Sequence, residues 1–127
     1  MAPTLRGMSA SHLHIIALGG TIASVPQEDA ASGVAPTVGA EQIAAAAHLD
    51  TLDLPGGPPH VTFEQLAQVG SGSITLAHLF AAVRSIRAAA ASGAHGVVLT
   101  QGTDTLEDSA FVLSLLNDAG IPVVLTG

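Results

Sequence analysis

Hydroxyl groups and a carboxylate follow three apolar, strand-like segments of this chain. The segments read LGGTIA at residues 18–23, VGSGS at 69–73 and TQGTDT at 100–105. Loops that leave the carboxyl ends of parallel strands gather at one edge of a sheet. We therefore expect the three loops to converge, although they lie far apart in sequence. The side chains that would meet there are Thr21, Ser71, Thr103 and Asp104.

These residue types suit acyl transfer. A threonine Oγ can attack a carbonyl carbon, backbone N–H groups can hold the resulting oxyanion, and a carboxylate can orient the substrate. The glycines allow backbone amides to come close to a ligand. The same residue types also form ordinary turns and helix N-caps, which explain most such segments taken singly. Composition and spacing alone therefore do not name a reaction.

Strand-like and helical segments alternate along the chain. Apolar runs predict strands at 12–18, 61–69, 96–100 and 121–126. Helices are predicted at 41–48, from Leu76 to the stop at Ser92-Gly93, and from Thr105 to about Asp118. Thr105 and Asp108 form a capping-box pattern that would open the last helix. This alternation predicts an α/β fold, a doubly wound and mostly parallel sheet with flanking helices.

Two stretches fall outside this pattern. Residues 1–11 are expected to form a loose leader. Residues 24–39 are rich in Ser, Gly, Pro and Ala and follow Thr21 directly. A loop of that length in a small domain is usually functional. We interpret it as a mobile lid, because closing lids exclude water and complete catalytic sites.

Composition excludes several classes of function. The 127 residues suit one domain, with 48% hydrophobic and 10% charged residues and a net charge of −7. No basic face is available for nucleic acid or for an anionic membrane. The basic residues are all arginine, so lysine-dependent phosphate loops and Schiff bases are excluded here. Without a signal-type or membrane-spanning apolar run, we expect a soluble, cytoplasmic protein.

Two further patterns in the sequence bear on metal and cofactor binding. His12 and His14 share one face of a strand, but no third ligand stands at suitable spacing, so we expect no metal site. Gly19-Gly20 follows a strand but lacks the G-x-G-x-x-G spacing of a dinucleotide loop, so we expect no cofactor.

Two of the three segments carry a family resemblance. LGGTIA at 18–23 and QGTDTLED at 101–108 resemble the two signature motifs of bacterial-type L-asparaginases. Their order and separation fit, and so does the weaker Gly70-Ser71 element between them. The resemblance runs from about His12 to Gly127. It implies that residues 12–127 are the front part of that family's N-terminal α/β domain, with the rest of that domain and a second domain absent from these residues.

The resemblance implies an activity and a role for each matched residue. Family members hydrolyse L-asparagine to L-aspartate and ammonia through a threonine acyl-enzyme. Thr21 matches the nucleophile and Thr103 the second catalytic threonine. Asp104 matches the carboxylate that contacts the substrate α-ammonium group and joins a Thr–Lys–Asp relay. Ser71 matches the residue that contacts the α-carboxylate, and Gly72 stands where some members place a substrate-contacting glutamine. The complete enzyme would be a homo-oligomer that acts on a small molecule.

The chain also departs from the family pattern. It contains no tyrosine, although many members place one in the loop after the first threonine, and the family lysine would lie beyond Gly127. We therefore expect these 127 residues alone to be poorly active and prone to associate. A related glutaminase, the asparaginase-like subunit of a tRNA-dependent amidotransferase and an inactive truncated form remain alternatives.

Overall fold

The structure, a computed structural model, describes residues 9–20, 42 and 45–127. Thr21 and the lid predicted at 24–39 lie outside these residues, as do residues 1–8 of the predicted leader. Of the helix predicted at 41–48, Gln42, Ala45 and Ala46 are described and are helical.

Four parallel strands form the sheet of the described chain. They are β1 (His12–Ala17), β2 (His60–Gln65), β3 (Gly96–Thr100) and β4 (Val123–Thr126), in the order β2-β1-β3-β4. The predicted parallel α/β fold is confirmed.

The strand predicted at 61–69 is too long, since β2 ends at Gln65. The amides of Leu66 and Ala67 both donate to the single carbonyl of Ala17, at 3.0 and 3.2 Å. Two successive amides cannot share one acceptor in a regular ladder, so the strand stops there.

Two long helices have defined bounds, α1 (Leu76–Ala91) and α2 (Leu106–Leu116). At the start of α1, the Thr75 hydroxyl accepts from the His78 amide, and His78 Nδ1 accepts from the Thr75 amide at 3.0 Å. The capping box predicted from Thr105 and Asp108 is wrong, because the Thr105 side chain makes no cap bond to α2. That hydroxyl bonds to a different loop, as described below.

The main core lies between one face of the sheet and both helices. Strand residues Ile16 and Leu99 and helix residues Ile86 and Leu113 are buried together in it. A smaller cluster around Ile15 and Ala17 lies on the opposite face. Burial of these apolar side chains supplies the main driving force for this arrangement.

At the surface, the guanidinium of Arg87 bonds both oxygens of Asp118, at 2.6 and 3.1 Å, and so links α1 to the turn after α2. Among the described residues, no helix is long and apolar enough to cross a membrane.

Candidate active site at the carboxyl edge of the sheet

The chain leaves β1 and β3, which are neighbours in the sheet, in opposite directions. From β1 the chain leads to β2 on one side, whereas from β3 it leads to β4 on the other side. Adjacent parallel strands whose connections leave in opposite directions form a topological switch point, where ligands of open α/β sheets bind. The loops that leave β1 and β3 here carry the LGGTIA and TQGTDT segments.

The two loops touch through glycine backbone. A Cβ placed on Gly20 would lie 2.7 Å from the Cα of Gly102, which is far below a normal contact distance. Gly20 also has a φ of +100°, a conformation that L side chains rarely adopt. Glycine at position 20 therefore allows the first motif to come into backbone contact with the second.

The third loop meets the second through Ser71. This residue begins a 3₁₀ turn, Ser71–Ser73, and is only 6% exposed. Its Oγ accepts a hydrogen bond from the Asp104 amide at 3.3 Å, and its carbonyl accepts one from the Thr105 hydroxyl at 2.9 Å. A Cβ on Gly102 would lie 2.9 Å from the Ser71 Cβ. The loops after β1, β2 and β3 therefore form one cluster.

The described site residues differ in exposure. Ser71 is buried, whereas Gly72, Thr103 and Asp104 are exposed to solvent at the edge of the sheet. Thr103 and Asp104 belong to a second 3₁₀ turn, Thr103–Thr105, which precedes α2 directly. Thr21 follows the described residue Gly20 but itself lies outside the described residues. An exposed hydroxyl and an exposed carboxylate next to a buried serine can contact a small polar ligand.

Two residues of the cluster were not predicted as parts of the site. Gln101 is fully buried, and its Nε2 donates to the Gly102 carbonyl at 3.1 Å and to the Thr105 hydroxyl at 3.4 Å. Thr105 was predicted as a helix cap and instead links the second and third loops. A signal for Gln101 was present, since a polar residue directly after a buried strand must find partners inside the protein.

Four histidines form a separate cluster at the opposite, amino edge of the sheet, namely His12, His14, His60 and His95. His12 Nε2 and His14 Nδ1 each lie 2.8 Å from the Thr62 hydroxyl, and His14 Nε2 lies 3.4 Å from Glu64 Oε2. Within the described residues, no group of three or more His, Asp or Glu side chains is arranged to hold a metal ion. The side-chain hydrogen bonds of His12 and His14 go to Thr62 and Glu64, and the His12 ring also contacts the His60 ring.

Comparison with known proteins identifies the family of this chain. Residues 12–127 match the family model described as "Asparaginase, N-terminal". The chain belongs to the asparaginase family. The match covers both signature segments, the Ser71 loop and all four strands of the sheet.

Individual asparaginase relatives agree with this assignment. The chain is 40% identical over 124 residues to a probable L-asparaginase of Deinococcus radiodurans, covering 94% of this chain and 33% of that protein. It is 34% identical to a glutaminase-asparaginase of Acinetobacter glutaminasificans, covering 89% of this chain and 34% of the relative. The chain therefore spans about a third of the length of these asparaginase relatives.

Solved asparaginase structures share the fold. The thermostable L-asparaginase from Thermococcus kodakarensis matches with a TM-score of 0.76 at 29% identity, over 91% of this chain and 33% of that one. A probable cytoplasmic L-asparaginase from Campylobacter jejuni matches with a TM-score of 0.68 at 31% identity, over 91% of this chain and 34% of that one. The predicted asparaginase-type α/β fold is confirmed.

Proposed function

We propose that the protein carrying this chain hydrolyses the side-chain amide of L-asparagine to L-aspartate and ammonia. The observation that carries this proposal is the convergence of both asparaginase motifs and the Ser71 loop at the switch point of the sheet. Residues that act on one small substrate must lie within a few ångströms of it. The contacts of Gly20 with Gly102 and of Ser71 with Asp104 support such closeness of the three loops.

The reaction we propose has two steps. The Thr21 Oγ attacks the amide carbon of asparagine, and the carbon–nitrogen bond breaks as ammonia leaves with the threonine proton. Water then cleaves the resulting ester, which releases aspartate and restores the threonine hydroxyl. Thr103 takes part in the proton transfers, Asp104 contacts the α-ammonium group, and Ser71 contacts the α-carboxylate. The chain contains no lysine, so the family's lysine base has no counterpart among these residues.

A second substrate, L-glutamine, is favoured by two observations. Relatives from Acinetobacter glutaminasificans and Pseudomonas fluorescens are named glutaminase-asparaginase. In addition, a Cβ placed on Gly72 would meet no atom of the described residues within 4 Å, which leaves space beside the position after Ser71 in that part of the chain. Such space would accommodate a substrate that is one methylene longer.

The experiment measures ammonia release by the complete protein from L-asparagine and from L-glutamine. We expect turnover of asparagine at about 1–10³ s⁻¹. Thr21→Ala should lower kcat by at least about 10³-fold, because the nucleophile is lost. Thr103→Val should lower it by about 10²–10⁴-fold, the usual contribution of a group that assists proton transfer. Both variants should keep the circular dichroism spectrum of the parent.

A matched control removes a threonine side chain elsewhere. Thr51 is exposed, lies in a separate turn and donates to the His48 carbonyl at 2.7 Å. Thr51→Ala should leave kcat unchanged. Full activity in a folded Thr21→Ala protein would reject Thr21 as the nucleophile. A folded complete protein that releases no ammonia from either amide would reject the proposed function and favour the inactive alternative.

The cellular setting that we propose is a homo-oligomer in the cytoplasm. Similarity to the probable cytoplasmic enzyme of Campylobacter jejuni supports the location. The oligomer follows from the family resemblance, in which a second domain lends residues to a neighbouring subunit. Cell fractionation and light scattering of the complete protein test the two statements separately.

A further inference from the structure

We propose that Thr105 is a positioning residue, which holds Ser71 so that its hydroxyl can bind the α-carboxylate of the substrate. This inference rests on the proposed function and adds a residue to it. Thr105 does not reach the ligand itself in this scheme. It acts through a hydrogen bond to the turn that carries Ser71.

The hydrogen bonds around Thr105 form a short chain from a buried anchor. Gln101 is completely buried, and its Nε2 donates to the Thr105 Oγ1 at 3.4 Å. The Thr105 hydroxyl then donates to the Ser71 carbonyl at 2.9 Å. The interaction joins residues 34 positions apart, so it ties the loop after β2 to the loop after β3. Gln101 thereby orients the Thr105 hydroxyl toward Ser71.

The local sequence offers Thr105 a different partner, which it does not use. Threonine at a helix N-cap normally accepts from an amide of the first turn, and this contributes about 1 kcal/mol to helix stability. Thr105 precedes α2 but makes no such bond. The hydroxyl instead supports Ser71. A purely local role in starting α2 would not need this geometry.

The bonds at Ser71 prepare its hydroxyl for an anion. The carbonyl accepts from Thr105, and the Oγ accepts from the Asp104 amide at 3.3 Å. A serine oxygen that accepts from an amide can still donate its own hydrogen. Among the described residues, the hydrogen bond recorded at this oxygen is the one that it accepts from Asp104, so its own hydrogen can be donated to a ligand. The carboxylate of an amino-acid substrate is an acceptor of the required chemistry, and bonds to ionised acceptors are the stronger ones.

The test compares two ligands that differ only in the α-carboxylate. L-aspartate carries this group, whereas β-alanine lacks it and keeps the other carboxylate and the amine. Binding of both to the complete protein is measured by calorimetry for the parent, Thr105→Val, Thr105→Ser and the control Thr51→Val. Thr105→Val should lower the affinity for L-aspartate about tenfold, since one supporting hydrogen bond is lost. The affinity for β-alanine should stay unchanged.

Rescue and kinetics separate positioning from a structural role. Thr105→Ser keeps a hydroxyl at this position, and its Kd for L-aspartate should lie within about twofold of the parent's. With L-asparagine as substrate, Thr105→Val should raise KM about tenfold with a much smaller change in kcat. Thr51→Val should bind both ligands as the parent does. The proposal would be overturned if Thr105→Val lowered the affinity for both ligands equally. It would also be overturned if Thr105→Ser bound L-aspartate as weakly as Thr105→Val does.

Failure of the proposed function gives a different result. A parent that binds L-aspartate in a Thr105-dependent way but releases no ammonia would overturn the function and support the positioning role. An active parent whose Thr105→Val variant binds L-aspartate as before would overturn the positioning role alone. A folded parent that neither binds L-aspartate nor releases ammonia from L-asparagine would overturn both.

Discussion

At the scale of single residues, Gly102 decides how closely two loops of the site can approach. A Cβ at this position would lie 2.9 Å from the Ser71 Cβ and 3.0 Å from its Oγ. The Ser71 Cβ is attached directly to the backbone, so a methyl group at position 102 must push the whole turn away. We expect Gly102→Ala to lower the free energy of unfolding by about 1–3 kcal/mol, as measured by urea denaturation.

Gly72 supplies the matched control for this substitution. It lies in the same cluster, its φ is not positive, and an added Cβ would meet none of the atoms in residues 9–20, 42 and 45–127 within 4 Å. Gly72→Ala should therefore change the free energy of unfolding by no more than about 0.5 kcal/mol. Equal stabilities for the two alanine variants would contradict the close contact between Gly102 and Ser71.

At the scale of secondary-structure elements, histidines join the amino ends of three strands. The ring of His12 in β1 lies tilted against that of His60 in β2, with the ring centroids 4.9 Å apart, and the His12 amide donates to Nδ1 of His95 before β3. The pKa of His12 is lowered from 6.5 by burial and by the nearby His60, His14 and His95. Glu64 is the carboxylate in this cluster and contacts His14 at 3.4 Å.

The lowered pKa of His12 predicts that acid destabilises the fold. Below pH 6.5 the unfolded chain binds a proton at His12 that the folded chain resists, so the free energy of unfolding decreases as the pH falls. His12→Gln should reduce this decrease in melting experiments between pH 7.5 and pH 5. His48→Asn alters a histidine outside the cluster and should keep the parent's pH dependence. The same dependence in His12→Gln would show that His12 does not contribute to it.

At the scale of the whole molecule, β4 leaves one side of the described sheet unpaired. It pairs only with β3 among the described strands, and Val124 at its centre is 57% exposed. Phe111 and Leu115 of α2 are exposed as well. An apolar edge strand can pair with a second molecule. We therefore expect the 127-residue polypeptide, expressed by itself, to associate in a concentration-dependent way.

A charged residue on the edge strand tests this expectation. Val124→Lys should raise the monomer fraction measured by light scattering, because lysine on an edge strand opposes pairing. Leu52→Lys introduces the same charge at an exposed leucine outside the sheet and should change association far less. A monodisperse parent, or equal effects of the two lysines, would show that the edge of β4 does not drive association.

Local patterns in the sequence were enough to predict most elements and the convergence of two of the loops. β3 has the predicted bounds, and α1 runs from Leu76 until just before the predicted stop at Ser92. Apolar runs predict strands and helical spacing predicts helices, because both patterns are set by residues that are close in sequence. The convergence of Ser71 and Asp104 was also predictable, since parallel strands bring their carboxyl ends to one edge.

The sequence by itself therefore determined the order and type of the elements and the convergence of the loops after β2 and β3. Only the tertiary structure decided the strand order, which places the topological switch point between β1 and β3. It also decided the partner of Thr105, whose hydroxyl supports Ser71 and does not cap α2. The physical reason is that both outcomes depend on contacts between distant segments. A capping pattern describes four successive residues, whereas the bond that formed joins residues 34 positions apart.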